Sequence, residues 1–304
     1  MRGDQLIYKE TSIIMLNYSK SKCNPSIPVQ LTESEFDEFI LDHLPIKTRG
    51  RPYKVPRYKI LNYILKLLYM GCQWKMLPID KDETGQPEIH YTQVFKIFQQ
   101  WLKCGSLLKI FENSVFTLHR ENRLDTSITH GDGTTTTAKK GGDCLGFSGH
   151  KHMKSEKVVA FVDRNCNVLS PMTIAPGNRH ESPLFGKAFK FLKDLFKRMG
   201  LSLKGSVASL DSAYDSAPNR KKIFNAGRIP NIKENPRNRK KTKRGRKRFY
   251  DEEIFEERFF TVERVFAWED KFKRLLLRFE RISFHHFGLK LLAYTMINLR
   301  HFCG

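Results

Sequence analysis

A mixed α/β fold (α+β or α/β in class), a sheet covered by helices and preceded by an all-helical segment, is what this sequence predicts. Two observations carry it. Residues 31–120 keep apolar residues at helical spacing, and beyond about residue 121 the texture changes to short strand-like runs alternating with helical ones. The predicted order after residue 121 is β-β-β-α-β-α-β-α, that of a sheet with helices laid on it rather than of a bundle.

The helical segment opens on "LTESEFDEFILDHL", where Thr32 and Glu35 form a capping box. "RYKILNYILKLLYMGCQW" places Ile60, Ile64, Leu67 and Leu68 on one face, with Gly71 as a stop. "TQVFKIFQQWLKCGSLLKIF" repeats the pattern through Val94, Ile97, Phe98 and Trp101. Trp74 and Trp101 are expected in that core. Short helices with basic residues between them suit a helix-turn-helix type DNA-binding unit, or a helical packing or dimerisation domain.

"TSITHGDGTTTTA" is Thr-rich and reads as the first strand, "KVVAFVD" and "NVLSPMTIAP" as the next two. Ser182 with Pro183 reads as a helix start, Gly200 as its end. "GSVASL" is a fourth strand, Ser216 caps a short helix, "IPNIK" is a fifth strand, and a long helix is expected from about Tyr250 to Arg281.

The 304 residues suffice for two domains, and 40% hydrophobic content is globular rather than disordered. The expected division is a poorly ordered extension over 1–30 with Met15 as a possible start, a helical domain over 31–120 and a sheet domain over 121–304. Lys and Arg outnumber Asp and Glu by 54 to 32, a net charge of +22 that calls for a polyanionic partner, nucleic acid before a membrane surface. No apolar run is long enough to span a bilayer, and the N-terminal stretch lacks a signal-type apolar region, so a cytoplasmic chain is expected. The six cysteines form no C-x-x-C pair and are expected to be free, mostly buried thiols.

"NPRNRKKTKRGRKR", residues 235–248, has nine Lys or Arg in fourteen positions and no acid. A solvated charge run is one reading. The other is a loop that neutralises phosphates with salt-sensitive, sequence-blind affinity through Arg237, Arg239, Lys240, Lys241, Lys243, Arg244, Arg246, Lys247 and Arg248. "GHKH" with Cys144 has poor spacing for zinc. His150 and His152, with Lys139, Lys140, Lys151 and Lys154, are instead expected to line a DNA path. His285 and His286 read as ordinary helix-end residues.

Three acids stand out in so basic a chain. Asp132 lies in "HGDGT", where flanking glycines leave the backbone open to a ligand or simply make a turn. Asp211 is the first residue after the apolar strand "VASL", at the carboxyl end where open sheets bind ligands. Asp215, four residues on, is explained by the helix start that follows it. Glu263 has Phe259, Phe260, Phe266 and Ala267 as its helical neighbours, a costly setting for a carboxylate, whereas Glu269 and Asp270 have Lys273 and Arg274 as i+4 partners. Asp132, Asp211 and Glu263 together could hold two Mg²⁺ or Mn²⁺ ions suited to in-line displacement at phosphorus.

In the order of "LLYMGCQWKMLP", "GDGTTTTAKKGGDCLGFSGHKHMKSEKVVAFVD", "SLDSAYDS", "IFNAGRIPNIKENPRNRKKTKRGRKR", "VERVFAWEDKFKRLLLRFE" and "LLAYTMINLRHFCG", the chain resembles DDE transposases of bacterial insertion sequences, in particular the insertion-sequence-five type, from about residue 31 to 304. The resemblance implies a ribonuclease H-like catalytic domain, two Mg²⁺ or Mn²⁺ ions, and cleavage at transposon ends followed by strand transfer. It implies Asp132, Asp211 and Glu263 as the catalytic, metal-holding acids. It also implies terminal inverted repeats and target DNA as partners, a homodimer on paired ends, and association with the bacterial chromosome. Arg258 and Lys271 are the nearest matches to the basic residues flanking the third acid, and would contact DNA phosphates. Two departures stand out: Phe259 occupies the place of the expected Arg, four before Glu263, and Ala213 replaces a Gly two after Asp211, which would be strained if that turn needs positive φ. The rival readings are a DNA-binding relative without catalysis and a nuclease without strand transfer.

Overall fold

The computed structural model describes residues 26–46, 52–149, 152–235 and 248–303. Most of the 1–30 extension, Met15, Cys23, His150, Lys151 and the basic residues Arg237, Arg239, Lys240, Lys241, Lys243, Arg244, Arg246 and Lys247 lie outside them.

Among the described residues, four α-helices come first: α1 (Glu33–Phe39), α2 (Arg57–Met70), α3 (Tyr91–Lys103) and α4 (Ser106–Arg120). The Thr32–Glu35 capping box forms as expected, and Gly71 ends α2 at φ 73°. Trp101 is fully buried; Trp74 packs on Phe95 and Phe98 with ring centroids 4.8 and 5.8 Å away.

The sheet follows: β1 (Ile128–Thr137), β2 (Gly146–Ser148), β3 (Met153–Asp163), β4 (Thr173–Pro176), helix α5 (Glu181–Arg198), β5 (Val207–Leu210), α6 (Ala217–Asn225) and β6 (Ile229–Ile232). Strands run in the order β2-β3-β1-β5-β6, with β4 also pairing β3. β1, β2 and β4 are antiparallel to their β3 neighbour, and β5 and β6 join parallel on the other side of β1. That mixed sheet, flanked by helices, is ribonuclease H-like. Three details differ from expectation. β2 was not anticipated. The third expected strand is regular only over Thr173–Pro176. The helix expected to be capped by Ser182 instead begins at Glu181, with His180 accepting from the Ser182 N–H.

Three more helices close the chain: α7 (Glu252–Phe260), α8 (Val262–Glu269) and α9 (Ser283–Leu299). The single helix expected over Tyr250–Arg281 is therefore broken. Thr261 leaves helical geometry at φ −119°, ψ −86°, and its hydroxyl bonds back to the Glu257 carbonyl at 2.8 Å. Ser/Thr back-bonding of this kind bends helices.

Strand alternation divides the core. Val158, Ala160 and Val162 of β3 join one hydrophobic cluster with α1–α4, α8 and α9; Val159 and Phe161 join the other with α5, Ala208 and Leu210. From Gly288 onward α9 is buried all round, as a helix threaded through a core must be. Its Asn298 bonds the Val168 backbone through both groups, at 2.8 and 3.0 Å, and Ser114 of α4 at 3.0 Å, tying helices to sheet. His285 and His286 do lie in its first turn, His286 wholly buried.

Candidate active site

Topology brings the first two acids together. In the parallel β1–β5 pair the last matched residues are Gly131 and Leu210, so Asp132 and Asp211 come next, side by side. Asp132 remains in the ladder opposite Ala160 of β3. Asp211 leaves the strand, accepts the Ser212 N–H at 2.6 Å and starts a one-turn 3-10 helix, Ser212–Tyr214. Asp132 is largely buried, with 13% of its side chain accessible, against 42% for Asp211.

The glycines around Asp132 serve packing rather than ligand access. A Cβ on Gly131 would lie 2.6 Å from Leu210 and Phe161, and one on Gly133 would lie 2.8 Å from the Glu181 carboxyl carbon.

Arg258 joins the two aspartates. Its Nη2 donates to Asp132 Oδ2 at 2.6 Å, and its Nη1 lies 4.0 Å from Asp211 Oδ1. The start of α7 fixes this: the Asp251 carboxylate accepts the Ile254 N–H at 3.1 Å, and the Asn231 side-chain amide of β6 holds the Asp251 backbone, accepting its N–H at 2.8 Å and donating to its carbonyl at 2.9 Å. The guanidinium carbon lies over Phe255, 5.2 Å from the ring centroid. Arg258 is thus a buried partner of the acids rather than an open phosphate contact, and its Nε has no partner among the described residues.

Burial pushes the Asp132 carboxyl up to about 7, against the pull of Arg258 and the Gly133 N–H; the negative charges of Glu181 and Glu263 push it the same way. Glu263 is therefore close enough to act on Asp132, but its environment differs from expectation. It is exposed in the first turn of α8, and Phe259 beside it is 62% accessible. Of the expected apolar row, Phe259 and Ala267 are exposed and Phe260 and Phe266 half-buried, so Glu263 is not enclosed. Glu269 and Asp270 also lack their expected partners, because α8 ends at Glu269 before Lys273 and Arg274 can come into helical register. Glu269 is buried and bonds Lys290 and Tyr294 of α9, while Arg274 bonds Glu280 at 2.7 Å.

A hard divalent cation fits this site in donor chemistry and charge. All candidate ligands are carboxylate oxygens, and the single buried guanidinium beside them offsets only part of their charge. Among the described residues, however, no three acids, histidines or cysteines are gathered into a ready-made metal cluster. The expected triad is near one place without converging on one point, and Cys144 with His152 builds no metal site.

Several other expectations change. Ala213 carries no strain: it lies in the 3-10 turn and is absent from the positive-φ residues. Asp215 is more than a helix-start acid. It is buried, pairs with Arg220 at 2.8 Å and Arg248 at 3.2 Å, and accepts the Asn235 N–H at 3.0 Å, so it holds both flanks of the 236–247 segment. Arg248 is accordingly engaged within the chain. Lys271 donates to the Ile27 carbonyl at 2.8 Å rather than facing the acids. Lys139, Lys140 and Lys154 are exposed, as a DNA path requires. Cys166 and Cys303 are buried, whereas Cys104 and Cys144 are exposed. Sequence reasoning missed Glu181 and Tyr214. Glu181 at a helix start reads as an ordinary dipole partner, and nothing local shows that Gly133 makes room for it.

No described helix is long and apolar enough to cross a membrane. No curated protein sequence matches the chain. Among solved structures, the Mos1 transposase paired-end complex with left transposon end is 12% identical over 61% of this chain and 61% of that one, with a TM-score of 0.26. A pre-cleavage Mos1 transpososome is 12% identical over 83% and 80%, with a TM-score of 0.27. The model of the transposase DDE domain matches residues 124–296, which is more than half of the sequence and includes every strand of the sheet and all three acids. The chain belongs to the DDE-domain transposases.

Proposed function

We propose that this chain cleaves DNA at the ends of a mobile element and joins those ends to target DNA, as a transposase of the insertion-sequence-five type. The observation that carries the reading is the adjacency of Asp132 and Asp211 at neighbouring parallel strands, with a cationic group between them. Asp132, Asp211 and Glu263 would hold Mg²⁺ or Mn²⁺, two ions in the full site. Bound there, such ions supply Lewis acidity at the phosphate and activate the attacking hydroxyl. The chain's own residues do the rest. β1 fixes Asp132 within the ladder, the Ser212 N–H orients Asp211, and Glu263 on exposed α8 can approach a substrate without unfolding its surroundings. Arg258 holds Asp132 in place by a charged hydrogen bond. Lys139, Lys140, Lys154 and the basic residues of 235–248 give sequence-blind phosphate affinity. Residues 31–120 would read the terminal inverted repeats, and paired ends call for a homodimer.

The test is cleavage of end-containing DNA by Asp132→Asn, Asp211→Asn and Glu263→Gln in Mg²⁺. Each is expected to lose about a thousandfold or more in rate while binding the DNA normally. Wild-type cleavage by any one of them would remove that acid from the assignment. A supercoiled target plasmid separates strand transfer from simple nuclease action: joined products are expected, and cut ends alone would favour the nuclease.

A further inference from the structure

The four N-terminal helices differ in what they offer a duplex. The exposed residues of α1 include Glu33, Asp37 and Glu38, a face that repels phosphate. α2 exposes only Tyr69 and Met70, and α4 only Lys109 and Arg120, because the core encloses both. α3 is the exception. Its exposed residues are Gln93, Lys96, Gln100 and Lys103, at intervals of three, four and three, so they form one stripe along the helix. α3 contains no acid, whereas an ordinary solvent face pairs its lysines with acids at helical spacing. An open groove of about 490 Å³ lies beside the stripe, lined by Lys96, Gln99, Gln100, Lys103 and Cys104. The opposite face, Val94, Ile97, Phe98, Trp101 and Leu102, is buried. Gln99 meets His285 of α9 at 3.3 Å, and Gly288 lets α9 come close: a Cβ there would lie 3.0 Å from Leu102. α3 is thus fixed to the core with its polar stripe outward. Its short turn, Cys104–Gly105, leads into α4. The helix with the free face is therefore the first of that pair, not the second that reads bases in a helix-turn-helix.

We propose that α3 lies in the major groove of the element's terminal repeats, where Gln93 and Gln100 read adenines and Lys96 and Lys103 bind the flanking phosphates. This rests on the reading above that residues 31–120 recognise the ends. The chemistry separates the two roles. Lysine neutralises phosphate whatever the sequence, and that needs no amide beside it. A glutamine amide carries a donor and an acceptor together, which match the N7 acceptor and N6 donor of adenine. At about 1.5 Å per residue the stripe is about 15 Å long, which spans about four base pairs. Fluorescence anisotropy of the full chain tests the proposal, with a terminal-repeat duplex, a scrambled duplex of the same composition, and divalent cations chelated so that no cleavage intervenes. Gln93→Ala and Gln100→Ala are each expected to weaken binding to the repeat by about tenfold and to leave the scrambled duplex unchanged. Lys96→Ala and Lys103→Ala are expected to weaken both duplexes alike and to lower the salt slope by about one each. 7-Deazaadenine, which lacks the N7 acceptor, is then scanned through the repeat. It is expected to weaken wild-type binding at the adenines being read, and to have no further effect there on the matching glutamine variant, a pairing that a merely structural role does not produce. Glutamine variants that keep the wild-type preference for the repeat, that lose both duplexes equally, or whose losses simply add to those of 7-deazaadenine would overturn the assignment to α3. If the wild type itself shows no preference for the repeat, the reading of residues 31–120 fails as well.

Discussion

Glu269 and Asp132 are both buried carboxylates, each beside one cationic side chain and one buried tyrosine, yet they are completed in opposite ways. At Glu269, Lys290 donates to one oxygen and Tyr294 to the other, all within the α8–α9 contact. At Asp132, Arg258 and the Gly133 N–H occupy the oxygens, but the nearby Tyr214 faces Glu181 instead, Arg258 Nε is left without a partner among the described residues, and further acids stand close by. A buried polar network is stable when every member is satisfied and costly when one is not. The first site is therefore built to hold the fold together. The second gathers more carboxylates than its one cationic side chain offsets, which is the character of a functional rather than a structural site.

The sharpest way to break this comparison is to remove one acid from each site. Glu269→Ala leaves the Lys290 ammonium, fully buried, without its partner, and is expected to cost about 3–5 kcal/mol of stability in urea titrations. Asp132→Asn is expected to go the other way. The folded carboxyl titrates at about 7 against 3.8 for the ordinary group, so the folded state binds the proton more tightly. Its contribution is fully present below about pH 4 and is lost as pH rises through about 7. With divalent cations chelated, Asp132→Asn is expected to match wild type near pH 4 and to exceed it by about 2–4 kcal/mol above pH 7. A variant less stable than wild type at pH 8 would show that Asp132, like Glu269, serves the fold.

Much of this was legible in the residues, and the limits have physical causes. The two aspartates could be found because a strand's carboxyl end is a position that local sequence reveals. The capping box at Thr32 and the stop at Gly71 are likewise local. Glu263 was singled out for a burial it does not have. Helical periodicity extends through Thr261, where back-bonding to Glu257 breaks the helix and leaves Phe259 and Glu263 exposed. The same break explains why Arg258, five residues before Glu263, still reaches Asp132. A count along one continuous helix places it elsewhere. Glu181 and Asp215 depend on contacts 48 and 33 residues away in sequence, to Gly133 and Arg248, and no spacing rule encodes those.

The finest comparison is between the two tyrosines. Tyr294 donates to a charged acceptor, and bonds of that kind are worth about 1.5–3 kcal/mol, so Tyr294→Phe is expected to lose stability in that range. Tyr214 is just as deeply buried, and its hydroxyl faces the Glu181 carboxylate without well-formed hydrogen-bond geometry, so Tyr214→Phe is expected to lose less than Tyr294→Phe, under about 1 kcal/mol. The rings are kept in both variants, and Tyr214 still packs edge-on against Phe185 at 6.2 Å, so the packing terms cancel and the hydroxyl alone is measured. Equal losses at the two positions in urea titrations would mean that Tyr214 is as fully paired as Tyr294, and that the acid site is as closed a network as the one around Glu269.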